Sequence, residues 1–108
     1  MKQRIYISGP ISGIPFEEAK IRFELAELKL RTAYPNAKMV NPTKHPLPKG
    51  MRWEWYMLID LFLLSFCTHI YQLEGWENSD GAVIEERWSQ HMKIKKVLLE
   101  PEKSLEKK

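Results

Sequence analysis

The spacing of apolar residues in this chain switches back and forth between a strand period and a helix period, and that alternation constrains the fold more than any other feature. Residues 4–8 (RIYIS) are β-branched and aromatic, as a short strand requires. In residues 16–32, Ala19, Phe23, Ala26 and Leu30 recur at helical spacing. Pro15 suits the start of that helix, Glu17 and Glu18 suit its positive end, and Lys29 and Arg31 its negative end, before Pro35 and Asn36 stop it. Residues 37–40, 68–73 and 95–99 read as further strands, and residues 52–67 and 80–92 as further helices. Segments 43–51 and 74–79 read as loops. Strands and helices that alternate with such short connections imply right-handed crossovers and a parallel sheet. The expectation is one small doubly wound α/β domain over residues 1–100, with about four strands, followed by a polar tail at 101–108. Ligands of such folds sit beyond the carboxyl ends of the strands, which here means segments 9–15, 41–51 and 74–80.

Charge and cysteine content narrow the function. The net charge is +3, yet residues 93–108 carry six lysines against three glutamates, and the first 92 residues balance eleven basic against eleven acidic groups. The excess belongs to the C-terminal end, so no basic face for a nucleic-acid polymer is expected. A single cysteine excludes an internal disulfide framework, and Cys67, in an apolar run, reads as an inert core thiol. With no CxxC or HExxH and no clustered His and Cys, neither a metal nor a cofactor is expected, and His45, His69 and His91 read as loop or surface residues. The apolar stretch near the N-terminus is too short for a signal-peptide core. The run from Met57 to Cys67 is broken by Asp60 and Ser65 and is too short to span a membrane. These features point to a soluble protein of a reducing compartment, the cytoplasm.

Chemistry-bearing residues gather at the expected strand ends. Gly9 and Gly13 in the segment GPISG let a ligand approach the backbone, and Ser12 between them offers a hydroxyl. Asp60 lies in the apolar run LIDLFLL, where burial raises a carboxyl pKa toward that of a proton donor. Ser79 or Asp80 caps the helix that follows, so that its first amides face a ligand. Glu85, just over one turn inside, sits near the positive end of the dipole, an environment expected to keep a nucleophilic carboxylate ionised. Glu86 points about 100° away and is expected to face solvent. Trp76, in a strand-end loop, reads as a stacking surface, and Trp53, Trp55 and Tyr56 as a second one or as core. Helix 52–67 carries two apolar stripes, one of Trp53, Met57, Leu61 and Leu64, the other of Trp55, Ile59, Phe62 and Phe66. Burial on two sides is expected, one side facing another subunit.

The order and spacing of these pieces resemble the nucleoside 2-deoxyribosyltransferase superfamily, in particular its short bacterial and phage branch, and its relatives the 2'-deoxynucleoside 5'-phosphate N-hydrolases. The elements are YISGPISG at 6–13, VNP at 40–42, WYM at 55–57 leading to Asp60, IYQLEGWENS at 70–79 and GAVIE at 81–85, covering residues 3–99. The resemblance implies a flavodoxin-like (Rossmann-like) three-layer fold and a homodimer or larger homo-oligomer. It makes Glu85 the catalytic glutamate and Asp60 the aspartate that orients the sugar or assists proton transfer. It places Tyr6, Gly9 and Gly81 in or beside a pocket for a nucleoside or nucleotide, with Ser79 as a phosphate contact. The implied reaction is cleavage or transfer at the N-glycosidic bond through a covalent glutamyl-deoxyribosyl intermediate, with no cofactor. The first loop lacks the arginine of the nucleotide hydrolases, which leaves nucleoside and 5'-monophosphate both open. The alternative is a non-catalytic nucleotide-binding or sensing module on the same fold.

Overall fold

β1 (Arg4–Ser8) is the most deeply buried strand, with Ile5, Tyr6, Ile7 and Ser8 all inaccessible to solvent. Its neighbours are β2 (Lys38–Val40) and β3 (His69–Gln72), and β4 (Lys95–Lys96) completes the order β2-β1-β3-β4. The computed structural model describes residues 3–11, 13–44 and 50–99; Ser12, His45 and the 101–108 tail lie outside that set. All three pairings are parallel, with Ile5 opposite both Met39 and His69, and Ile70 opposite Lys96. Each crossover passes through a helix: α1 (Phe16–Ala33), α2 (Trp53–Ser65) and α3 (Asp80–His91). This is the strand order of a small flavodoxin-like fold, in agreement with the α/β expectation.

Alternation along β1 builds the layers. Ile5 and Ile7 pack on Phe23, Ala26 and Leu30 of α1. Tyr6, facing the other way, joins Ile70, Leu64 and Cys67 beneath α2 and α3. Among the described residues no helix is long and apolar enough to cross a membrane.

The helix ends follow local chemistry. α1 stops at Tyr34 because the residue before a proline is disfavoured in helical geometry. α3 begins at Ser79, whose side chain accepts a hydrogen bond from the Ala82 amide at 3.3 Å. A 3₁₀ turn at Pro42–Lys44 leads into the first expected loop, and another at Trp76–Asn78 lies within the second. The fourth strand is shorter than the expected 95–99, although the Val97 amide still reaches the Ile70 carbonyl at 2.9 Å.

One expectation about exposure is corrected, and the two stripes of α2 are told apart. Glu86 is buried, because β4 lies alongside α3 and brings Lys96 Nζ to 2.7 Å from its carboxylate, while Gln90 Nε2 donates to it at 2.6 Å. A carboxylate at that depth needs such partners. On α2 only one stripe is buried by the chain itself, through Met57 and Leu64. The other remains open: Trp55 is 56% exposed, Phe62 63% and Phe66 58%.

Gly9 marks where β1 and β3 converge. A Cβ there would lie 2.8 Å from Leu73 Cβ and from its Cδ1, closer than carbon atoms approach. Gly9→Ala is therefore expected to destabilise the fold by about 1–3 kcal/mol, the usual cost of overpacking. Urea unfolding checks this, and an unchanged midpoint would contradict the packing described.

Candidate active site

A cleft of about 420 Å³ opens at the carboxyl ends of β1 and β2, within the range of small-molecule sites. Gly9 and Ile11 line it after β1, Phe16 and Phe23 from α1, and Pro42 and Thr43 after β2. α2 contributes Trp53, Tyr56, Met57 and Asp60, which recur every three or four residues along one helical face. The start of α3 contributes Ser79, Gly81, Ala82 and Glu85. Gly81 lets α2 and α3 approach, since a Cβ on it would lie 3.1 Å from Met57 Sδ.

Glu85 is held from below. Tyr6 and Ser8 are two residues apart on β1, so both point toward α3. The Tyr6 hydroxyl donates to Glu85 Oε2 at 2.7 Å, and the Ser8 hydroxyl donates to Oε1 at 2.7 Å. Only 5% of Glu85 is exposed. Burial pushes its pKa up to about 7; the Asp60 charge adds to the rise, and the Ser8 and Tyr6 hydrogen bonds oppose it. The expectation of a fully ionised carboxylate is thus corrected: burial outweighs the helix dipole, whose effect fades within the first turn. The Tyr6 phenol is pushed well above its ordinary value by its own burial and then by the Glu85 charge, so it remains a donor. Asp60, which also lines the cleft from α2, is raised to about 6 by burial.

The residues singled out in the sequence fall into three groups. Gly9, Asp60, Ser79, Gly81 and Glu85 meet around the cleft. Tyr6 lies under its floor, closed to solvent, and acts on the carboxylate rather than lining the wall. Gly13 is an exposed turn residue at φ +89°, and Trp76 packs toward Lys96, whose Nζ lies 5.8 Å from its ring; neither lines the cleft. Of the other aromatics considered, Trp53 and Tyr56 line it and Trp55 does not. His69 bonds Thr68 Oγ1 at 2.8 Å and His91 lies against the Trp88 ring, both away from the cleft. Burial raises the Cys67 thiol to about 11, which keeps it inert. Ser8, Phe16 and Phe23 were missed. For Ser8 the signal was available in the two-residue period that sets it beside Tyr6 on the α3 face of the strand.

The family described as a domain of unknown function, DUF4406, matches residues 3–98. The chain belongs to this family. That match takes in all four strands and all three helices, and with them every cleft residue named above. No curated protein matches the chain.

A carboxylate held at both oxygens and raised toward neutrality, in one cleft with a second raised carboxylate, is equipped for nucleophilic and acid–base work. The raised pKa also has a stability consequence. A folded-state value of about 7, above the ordinary 4.5, means that the folded protein binds a proton the unfolded chain has released. This contribution is fully present below pH 4.5 and is lost as the pH rises through 7. Glu85→Gln is therefore expected to gain stability over the parent protein above pH 7, by about 3 kcal/mol, and to lose that advantage toward pH 4.5. Urea unfolding at pH 5 and pH 8 measures it, and an equal difference at both would contradict a neutral-range Glu85.

Proposed function

We propose that this protein acts at the N-glycosidic bond of 2'-deoxynucleosides or their 5'-monophosphates, with Glu85 as nucleophile. The observation that carries the reading is the Glu85 carboxylate, gripped at both oxygens by β1 hydroxyls in a cleft that also holds Asp60. A glutamate oxygen attacks C1' of the sugar. The C1'–N bond breaks, its electron pair leaves with the base, and Asp60 delivers the proton the base needs. Positive charge that develops at C1' is stabilised by the adjacent carboxylate. The resulting glycosyl ester is opened at C1' by water, which gives hydrolysis, or by a second base, which gives transfer. Tyr6 and Ser8 aim the carboxylate, and Phe16, Trp53 and Tyr56 offer flat apolar surface to the base. Two carboxylates and, among the described residues, no cationic side chain line the cleft, which favours the unphosphorylated nucleoside.

Function in this reading is carried by a homodimer. The open stripe on α2 (Trp55, Leu58, Phe62 and Phe66) recurs every three or four residues, the spacing with which two helices interlock. Half-exposed aromatics of this kind amount to several hundred Å² per copy, at the upper end of what a monomer leaves in contact with water. A second copy of the same stripe covers it by two-fold symmetry. Phe62→Lys is expected to halve the mass measured by light scattering; an unchanged mass, or a monomeric parent, would refute this interface.

Chromatographic base release from a panel of 2'-deoxynucleosides and their 5'-monophosphates, with and without an acceptor base, tests the activity. Release is expected to fall at least about a thousandfold in Glu85→Ala. Its pH profile is expected to be bell-shaped with limbs near 6 and 7 that belong to the pair, the competent form, Glu85 ionised and Asp60 protonated, being the minority of the singly protonated forms. Asp60→Asn is expected to remove the alkaline limb and leave one acid limb set by Glu85 alone, no lower than that of the parent, because Asp60 no longer competes for the shared proton. Ligand binding without release would mark the sensing alternative.

A further inference from the structure

Glu27 is a buried carboxylate that the chemistry above does not use. It sits on the core face of α1 between Phe23 and Leu30, one turn from each, where an apolar residue would pack at less cost. Its partners all come from its own last turns or from the segment after β2. Arg31 Nη2 lies 2.5 Å from Oε2, Lys44 Nζ 3.1 Å from Oε1, and Asn41 Nδ2 donates to Oε1 at 3.2 Å. These contacts outweigh the effect of burial and hold its pKa below the ordinary carboxylate value.

Asn41 links this carboxylate to the cleft. It is itself buried, and its Oδ1 accepts from the Thr43 amide at 3.0 Å and the Thr43 hydroxyl at 2.6 Å, while its carbonyl accepts from the Lys44 amide at 3.0 Å. With Oδ1 committed to Thr43, Nδ2 is turned toward Glu27. Pro42 and Thr43 form one rim of the cleft, and Phe23, one turn before Glu27, forms part of the α1 wall. One carboxylate therefore ties two walls of the same cleft together.

We propose that Glu27 is a positioning residue that, through Asn41, fixes the Pro42–Thr43 rim against the α1 wall and so sets how tightly the cleft takes its ligand. This rests on the cleft being the ligand site, but its test does not depend on which reaction occurs there. Glu27→Met keeps the bulk and apolar packing of the side chain and removes its acceptors. Glu27→Gln keeps an acceptor for Asn41. Asn41→Asp keeps the bonds from Thr43 and sets an oxygen against Glu27 in place of the amide nitrogen. Val97→Ala, which trims the shared apolar core and leaves every hydrogen-bonding group of the clamp in place, reports general destabilisation.

Native-state amide exchange is the first readout. In Glu27→Met and Asn41→Asp, the Thr43 and Lys44 amides are expected to exchange about tenfold faster, with Tyr6 and Ile7 of β1 within about twofold of the parent. Glu27→Gln is expected to restore most of the protection, and Val97→Ala to leave the ratio of rim to β1 exchange unchanged. Equal acceleration at the rim and in β1, or none at the rim, would overturn the proposal. The second readout is base release from 2'-deoxyadenosine and thymidine. The same two variants are expected to raise KM about tenfold with kcat within about twofold, and a fall in kcat at constant KM would overturn the positioning role. If the parent releases no base, the reaction proposed above fails, while amide exchange still decides the clamp.

Discussion

Two hydroxyls on one strand grip one carboxylate on the facing helix, and much of this molecule is arranged around that contact. Tyr6 and Ser8 occupy consecutive inward positions of β1, a strand paired on both sides, so their oxygens are as fixed as the sheet. Glu85 must come to them, which sets the height and rotation of α3 over the sheet. The first turn of α3, with Ser79 as its cap, is thereby placed at the cleft mouth. The grip does not fully offset the loss of water around the carboxylate, and the shortfall appears as a pKa near neutrality.

The buried acids of this chain divide by their partners. Glu27 has Arg31 and Lys44, and Glu86 has Lys96; both are tied down by cations, and neither lines the cleft. Among the described residues, Glu85 and Asp60 have no ion pair, and both face the cleft. A cation holds a buried carboxylate in place, whereas burial without one raises its pKa. The same backbone thus carries cation-paired acids and acids without an ion pair side by side, even at the adjacent positions 85 and 86.

Periodicity made the layered fold legible, because each strand and helix presents its own repeat and the crossovers admit few topologies. Asp60, Ser79 and Glu85 were visible as candidates because a carboxylate in an apolar run and a cap before a helix are local signals. What was not legible depends on contacts distant in sequence. Glu86 looks exposed on a helical wheel, and only the lateral placement of β4 covers it. The Glu85 pKa depends on depth, which the helix dipole does not report. Trp76 is in a strand-end segment as expected, yet its turn carries it toward Lys96 and away from the cleft. Two apolar stripes on α2 are legible in the sequence, but which of them the chain itself covers is not, because periodicity cannot tell an intramolecular neighbour from a second subunit.

The chemistry assigned to this cleft turns on whether Glu85 forms a bond to the sugar. Acid quenching during turnover of a 2'-deoxynucleoside, followed by peptide mass mapping, measures this directly. A peptide spanning residues 81–86 that gains the mass of one 2-deoxyribosyl group, localised to Glu85 and lost on incubation with an acceptor base or water, is the predicted result. Turnover with no modified peptide, or with the group on a different residue, would contradict a glutamyl intermediate.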